Sequence, residues 1–461
     1  MNSLEPGCEI DGFRLGELIH AGSMALIYRL VGPGGPLPLI MKIPRLGVGE
    51  RAVNVTGFEV CRMVLGALGQ GPHHPTLVAY GDVETTPYLV IQHIDGSRLS
   101  DLLPRTPLPP EEIARLGAAV AIALHDLHRR DVVHLDLKPT NIMFRPNGEV
   151  MLIDFGLAHH GHLPDLLAEE LRHPVGNWVY MAPEQILGVR CDPRSDIYAL
   201  GGILYELATG RLPFGRPQSI SEVRRRLYID PVPPRAINPA VPEWLQEIIL
   251  RCLEIDASER YGSAEQVALE LVNPAAVALT ERASRRRRPG WVTLARRRLR
   301  ALSFVPAPCP PLSRQPEVAR VAVVAFTPNE RNEVLLEALR RATRNILAAD
   351  PTCRIACVTV VPPAAVLNGE GEEGTATGRQ IKRLIELRHW ARPLELPEER
   401  LTCHVLESDK PAAALVDYAK MNDVDQILIG APRGGTARLM AGVSAQLVAE
   451  APCSVSVIRA R

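Results

Sequence analysis

The hydrophobic pattern of the chain changes its period twice, which rules out one continuous core. From about Ile10 the apolar residues fall in short strand-like runs: FRLGELI, ALIYRL, PLIMKI and PYLVIQHI. They then recur at helical spacing, as in EEIARLGAAVAIALHDLHRR, where Ile113, Leu116, Val120 and Leu124 share a face. Between about Asn273 and Pro316 the pattern lapses into a Pro- and Arg-rich stretch. From Val318 onward, five apolar strand-like runs alternate with amphipathic helices, which calls for a parallel, doubly wound sheet. At 461 residues the chain also exceeds what one core organises. The expected domains are residues 10–272, a strand-rich lobe followed by a helical one; 273–316, a basic linker; and 317–461, a five-stranded α/β unit.

Bulk charge narrows the function less than position does. Lys plus Arg and Asp plus Glu balance at 52 each, so no dedicated nucleic-acid binder is expected. Nine cysteines without a CxxC pair suit reduced thiols better than a disulfide framework. The opening MNSLEPGCEIDG lacks the basic and then apolar run of a secretory signal. No stretch reaches the roughly 18 apolar residues that a spanning helix needs. These features together point to the cytosol.

The chemistry is concentrated in the first zone. LIMK puts Lys42 at the end of a strand, HLDLKPTN offers Asp136, Lys138 and Asn141, and IDFGLA offers Asp154. YMAPE follows at Tyr180 to Glu184, then RSDIYALGGILYEL around Asp196, then Arg260. Phosphoryl transfer needs this kind of set: a carboxylate for the substrate hydroxyl, oxygen ligands for a metal, and a cation for the phosphates. Any single motif is weak, but the ordered series is not. On it, residues 10 to about 271 resemble the bacterial Ser/Thr protein kinases of eukaryotic type. The resemblance implies an α+β two-lobed protein kinase fold with ATP and Mg2+ in the cleft and protein substrates outside it. By position, Lys42 would bind phosphates, Asp136 would orient the hydroxyl and take its proton, and Lys138 would contact the γ-phosphate. Asn141 and Asp154 would hold the metal. Gly22 would belong to the phosphate-covering loop, and Ile91, Gln92 and Ile94 in VIQHI would line the adenine site. Glu184 and Arg260 would form a structural ion pair.

Several positions depart from that pattern. HAGSMALIY keeps only the middle glycine, Gly22, of GxGxxG, with His20 and Ala25 at the outer two. In FEVCRMVLGAL the spacing to Leu65 and Leu68 puts Cys61 where the family has the helix glutamate that pairs with the lysine; Glu59 lies about 200° round the helix. Asn177 stands where the threonine of a usual GT stands. Leu135 replaces the arginine that precedes the catalytic aspartate, which makes this a non-RD sequence. LAHHGHLPDLLAEELRHPV, between DFG and Gly176, has no Ser, Thr or Tyr. A phosphate receptor and its phosphosite are thus missing together. His159, His160, His162 and His173 in that segment are expected to be solvated. Two functions stay open: an active Ser/Thr kinase, or an ATP-binding pseudokinase that acts as a regulatory scaffold.

The linker's RRRR from Arg285 and ARRRLR from Ala295 read as a solvated, self-repelling spacer with no specific nucleic-acid signature. Weak binding to an anionic surface, aided by Trp291, Leu294 and Leu299, is the alternative. From Val318 the chain resembles the universal stress protein family, carried by VARVAVVAF, VDQILIGAPRGG and GVSAQLVAEAPCSVSVIR. That resemblance implies a homodimer through the C-terminal domain, often by its last strand. Nucleotide-binding members carry an aspartate at the end of the first strand and a GxxG, nine-residue, G(S/T) signature. Here Phe326 and Thr327 occupy the aspartate's region, Gly430 and Gly434 are spaced by three, and Gly442 is followed by Val443. Little nucleotide affinity is expected of this domain.

Overall fold

The computed structural model describes residues 5–22, 25–32, 38–45, 52–81, 86–170, 176–288, 291–301, 305–309, 320–326, 333–362, 376–397, 400–431 and 442–459. The first lobe is a six-stranded antiparallel sheet in the order β1-β2-β3-β4-β6-β5. Its strands are β1 Glu9–Ile10, β2 Phe13–Ala21, β3 Ala25–Val31, β4 Leu39–Pro44, β5 Leu77–Gly81 and β6 Tyr88–Gln92. Tyr28, Met41, Ile43 and Val90 fill its own small core. Helix α1, Ala52–Leu68, crosses between β4 and β5.

The second lobe is helical. Helix α2, Pro110–His128, opens with proline at its first position, where no N–H is lost, and with Glu111 and Glu112 facing the positive end of the helix dipole. Its Ile113, Leu116, Val120 and Leu124 are buried, as the spacing requires. Short strands β7 Ser97–Arg98, β9 Ile142–Phe144 and β10 Val150–Leu152 form a three-stranded sheet, and β8 Val132–Val133 pairs with β11 His159–His160. Beyond them lie α3 Leu166–Glu170, α4 Pro183–Ile186 and α5 Arg194–Thr209. Helix α5 is buried almost all round and ends at Gly210, whose φ of 66° closes it with a left-handed turn.

The C-terminal domain is the expected parallel doubly wound sheet, in the order β14-β13-β12-β15-β16. These strands are β12 Val321–Ala325, β13 Arg354–Val361, β14 Leu401–Glu407, β15 Gln426–Gly430 and β16 Ser454–Ile458. Alternate residues of each strand serve opposite faces. Val323, Ala325, Ala356 and Val358 pack with Leu415 and Leu447 on one side. Ala322, Val324, Ile355 and Cys357 pack with Leu339, Leu387 and Trp390 on the other.

The linker departs from the expected solvated spacer. Gln246 Nε2 donates to the carbonyls of Arg282, Ala283 and Arg285, and Arg282 pairs with Glu247 and Glu254. Val277 and Ala283 are buried. The helix Trp291–Ala301 follows, with Arg297 on Asp230 at 2.6 Å. Acidic side chains on the helical lobe take up Arg282, Arg285 and Arg297, while Arg286, Arg287, Arg288, Arg296 and Arg298 stay exposed as expected of a solvated run. The reduced-thiol expectation is likewise corrected, because Cys191 and Cys309 form a disulfide and Arg194 Nη2 donates to the Pro308 carbonyl beside it. Among the described residues no helix is long and apolar enough to cross a membrane.

Candidate active site

The loop from His134 to Asn141 runs from β8 to β9 and is fixed from below. Leu135 has a φ of 61°, a left-handed conformation that costs a leucine about 1–2 kcal/mol. Asp196, buried at the start of α5, offsets that cost. Its carboxylate accepts from the N–H of His134 at 2.8 Å and from that of Leu135 at 2.9 Å, while His128 Nε2 lies 2.9 Å away. Gln185 Nε2 donates to the Leu135 carbonyl at 3.0 Å. His128 and His134 beside Asp196 hold its carboxyl below the usual range despite burial.

So shaped, the loop gathers donors around Asp136. Lys138 Nζ donates to Oδ2 at 2.6 Å, Asn141 Nδ2 to the same oxygen at 3.1 Å, and the Asn177 N–H to Oδ1 at 3.3 Å. Asn141 also ties the Asp136 main-chain carbonyl at 3.0 Å. Gly176, with φ 129°, passes close by: a Cβ there would lie 3.9 Å from Asp136 Oδ1. Asn177 therefore serves Asp136 through its backbone N–H, which any residue at that position possesses. Its side chain caps the Val179 N–H at 3.0 Å instead.

The opposite wall holds Lys42 on β4, whose Nζ lies 2.7 Å from Asp154 Oδ1. Asp154 also has a left-handed φ, 68°. The Lys42 ammonium draws the Asp154 carboxyl down to about 2, and Lys138 and His134 add to the pull. Burial alone would lower the Lys42 ammonium, but Asp154, Cys61 and Asp136 together raise it. Cys61 is 3% exposed and faces this pair, and burial raises its thiol above the ordinary value. The spacing argument thus has the right register: the position that would carry the helix carboxylate is a neutral sulfur. Glu59 points away, towards Arg62 of its own helix and Arg388 of the C-terminal domain. Helix α1 presses close to the loop after Asp154, since a Cβ on Gly156 would lie 3.2 Å from the Gly57 carbonyl oxygen.

Of the nucleotide-site residues, Ile91 lies opposite Ile40 and Gln92 opposite Leu39 in the β4–β6 register. The Gln92 N–H donates to the Thr76 carbonyl and that of His93 to Pro38. Ile94 is buried just beyond. The Gly22 N–H donates to the Ala25 carbonyl at 3.0 Å, and its own carbonyl accepts from Arg45 at 3.1 Å, closing the β2–β3 turn. The structure therefore brings the expected residues into two groups, Lys42 with Asp154 and Asp136 with Lys138 and Asn141. The Ile153 N–H joins the groups through the Asn141 carbonyl at 2.9 Å.

Glu184 and Arg260 form the expected buried bidentate pair, at 2.7 and 2.8 Å, with the Ser195 hydroxyl on Glu184. The histidines correct the solvated reading in part, since His159 and His160 are half-buried while His162 is exposed. His159 lies 3.2 Å from Asp165 and His162 2.8 Å from Asp131, while burial, with the charges of His162 and His159, presses His160 down to about 4. His173 lies outside the described residues, as do Thr327 and Gly434 of the nucleotide signature considered for the C-terminal domain. Among the described residues no cluster of His, Cys, Asp and Glu suits a metal ion. Sequence reasoning gave Asp196 no role. Its only signal was its place in RSDIYALGG, with nothing to say which loop it holds.

Comparison with known proteins finds two family matches. Residues 68–272 match the protein kinase domain, and residues 320–459 match the universal stress protein family. The first match begins after the helix segment that carries Cys61. Serine/threonine-protein kinase Pkn1 of Myxococcus xanthus is 34% identical over 295 residues, which is 61% of this chain and 39% of that one. Serine/threonine-protein kinase PknB of Mycobacterium leprae is 31% identical over 270 residues, 57% of this chain and 43% of that one. The chain thus spans about two fifths of the length of these relatives. The crystal structure of the Mycobacterium tuberculosis PknI kinase domain aligns at 23% identity and a TM-score of 0.45, over 59% of this chain and 99% of that one.

Proposed function

We propose that this chain, in which a protein kinase domain is joined to a universal stress protein domain, transfers the γ-phosphate of ATP to Ser or Thr hydroxyls of proteins. The observation that carries this reading is Asp136, an aspartate that gathers Lys138, Asn141 and the Asn177 N–H on its carboxylate across the cleft from the Lys42–Asp154 pair. In the transfer, the substrate hydroxyl oxygen bonds to the γ-phosphorus as the bond from that phosphorus to the β–γ bridging oxygen breaks. ADP leaves, and the hydroxyl proton passes to Asp136. Lys138 and Lys42 stabilise charge on the phosphate oxygens. Ile91, Gln92, Ile94 and Gly22 bound the adenosine and phosphate sites.

Asn141 and Asp154 fit a magnesium ion. Asp154 is held ionised by Lys42, and the Asn141 amide nitrogen is engaged on Asp136, which leaves its oxygen for a hard cation. Bound there, the ion would supply positive charge for the phosphates.

The enzyme is of the non-RD type, with Leu135 buried where a phosphate-binding arginine would stand. The domains divide at residues 10–272, 273–316 and 317–461, with the first part of the linker built into the helical lobe. The C-terminal domain forms a homodimer through β16. That strand is the sheet edge opposite β14, so pairing there leaves the β14 side free for the kinase domain. The rival reading, an ATP-binding scaffold without transfer, draws its support from Cys61, which leaves Lys42 without a helix carboxylate.

The test is incorporation of labelled phosphate from ATP with magnesium into the chain itself and into a generic basic protein. Asp136→Asn should lower it about 10²- to 10⁴-fold while ATP binding persists. Equal incorporation by wild type and Asp136→Asn sinks the kinase reading.

A further inference from the structure

Helix α1 is buried from Val55 through Cys61, nearly two turns all the way round. One face accounts for itself: Phe58, Cys61, Val64 and Leu65 belong to the main core. The other face carries Glu59, a carboxylate only 5% exposed, and a surface helix of a single lobe would leave such a residue in water. The C-terminal domain covers it. Arg388, from the helix Ala376–Ala391, reaches Glu59 Oε2 at 2.9 Å, next to Arg62 at 3.0 Å. That helix packs on α1, and α3 packs against β14, the edge strand of the C-terminal sheet. Cys403, on β14, is close enough for Arg388 and Glu59 both to act on its thiol.

The two contacted elements belong to the active site. Two residues after Glu59, α1 presents Cys61 to Lys42, and Gly57 lies against Gly156. Helix α3 lies in the segment between Asp154 and Asn177, the ends of which touch Lys42 and Asp136.

We propose that the C-terminal domain is an intramolecular clamp on the kinase domain. It docks on α1 and α3 through the Arg388–Glu59 pair and thereby holds Cys61 and Lys42 in place for phosphoryl transfer. A helix with neutral Cys61 in place of a carboxylate lacks the usual bond that draws it towards the lysine, and the outer ion pair supplies the hold from behind. Glu59 and Arg388 are positioning residues in this scheme, since neither touches the reacting atoms. The clamp rests on the proposed kinase activity for its effect on rate, but docking itself does not.

Hydrogen exchange on the full-length protein reads the docking directly. Arg388→Ala should speed exchange of the α1 amides about 10-fold, while the amides of α5 stay as they were. Arg388→Lys should restore most of the protection. In a Glu59→Gln background the Arg388→Ala change should have little further effect, because the pair is already broken. Phosphotransfer by Arg388→Ala should fall about 10-fold with a higher KM for ATP. Unchanged α1 exchange in Arg388→Ala overturns the docking. Faster exchange combined with equal or higher phosphotransfer overturns the activating sense of the clamp. Protection of α1 that falls on dilution assigns the contact to a second copy and overturns its intramolecular form. If wild type and Asp136→Asn incorporate phosphate equally, the kinase reading has failed, while the exchange arms still decide whether the domain docks.

Discussion

The floor and the roof of the cleft differ in how many independent bonds fix them. On the floor, the Asp136 loop is held by Asp196 at two backbone N–H groups, by Gln185 at a carbonyl, and by Asn141 and Asn177 at Asp136 itself. Every one of these anchors belongs to the helical lobe or to a segment packed on it. On the roof, Lys42 has one partner among the described residues, Asp154, and the described part of the neighbouring helix offers it the thiol of Cys61. On the proposed reading, such a site fixes Asp136, its proton acceptor, from the helical lobe, while the placement of Lys42, its phosphate ligand, would depend on how α1 is held from outside.

Breaking the floor should have the largest effect. Asp196→Ala strands two buried N–H groups and His128 while leaving Leu135 in a conformation it does not favour. It should cost the kinase domain about 3–5 kcal/mol in urea denaturation and abolish phosphotransfer. Asp196→Asn, which can still accept one of the bonds, should cost less. If Asp196→Ala is as stable as wild type, Asp196 is not what holds the floor, and the contrast with the roof loses its main support.

The roof can be strengthened rather than broken. Cys61→Glu places a carboxylate beside Lys42, with an expected gain in rate of about 10-fold. The ceiling of 10- to 100-fold, set by a pair of about 1.5–3 kcal/mol, is reduced by burying the new charge and by Asp154 already holding the lysine. Cys61→Gln should gain much less. Equal rates for Cys61→Glu and wild type in a phosphate-transfer assay would mean that Asp154 alone places Lys42, and the roof would count as fully fixed.

The smallest effect lies between the two walls. Burial, with His162 and His159 nearby, keeps His160 at about 4 when folded, below its ordinary 6.5. The unfolded chain therefore binds more protons between those values, so stability falls as pH drops from about 6.5 and levels off below about 4. Asp131 faces the same cluster and opposes the effect, while Asp165 pairs with His159. His160→Gln should be less sensitive to acid than wild type in this window, and identical pH profiles in denaturation would show that the segment is as solvated as its sequence suggests.

What could be read from the chain beforehand follows the same division between local and distant. Helical spacing, which fixes helix geometry, set Cys61 and Glu59 on opposite faces, and the kinase resemblance said which of those faces meets Lys42. The alternation of strands and helices gave the parallel C-terminal sheet for a similar reason. The spacing could say which face Glu59 occupies, but not that Arg388 would cover it. Asp196, Arg388 and Cys309 act across separations at which sequence carries no geometric signal. The linker misled in part: most of its arginines are as solvated as they look, but Arg285 and Arg297 meet Asp230, and Arg282 just before them meets Glu247 and Glu254, partners that only the fold brings alongside.

The Cys191–Cys309 bond changes the length of a leash. With it closed, the last fixed point before the C-terminal sheet is Cys309, about 12 residues from Val321, which bounds their separation at about 40 Å. With it open, the Arg194 bond to the Pro308 carbonyl is left to hold that stretch, and once it yields the fixed point moves back to Ala301, the end of the helix that Arg297 pins to Asp230, about 20 residues from Val321. Local concentration of a tethered module falls roughly as the −3/2 power of its linker length, so this change lowers it only about two-fold. The covalent strap therefore trims how often the C-terminal domain meets α1, and leaves the strength of each meeting to the surfaces themselves.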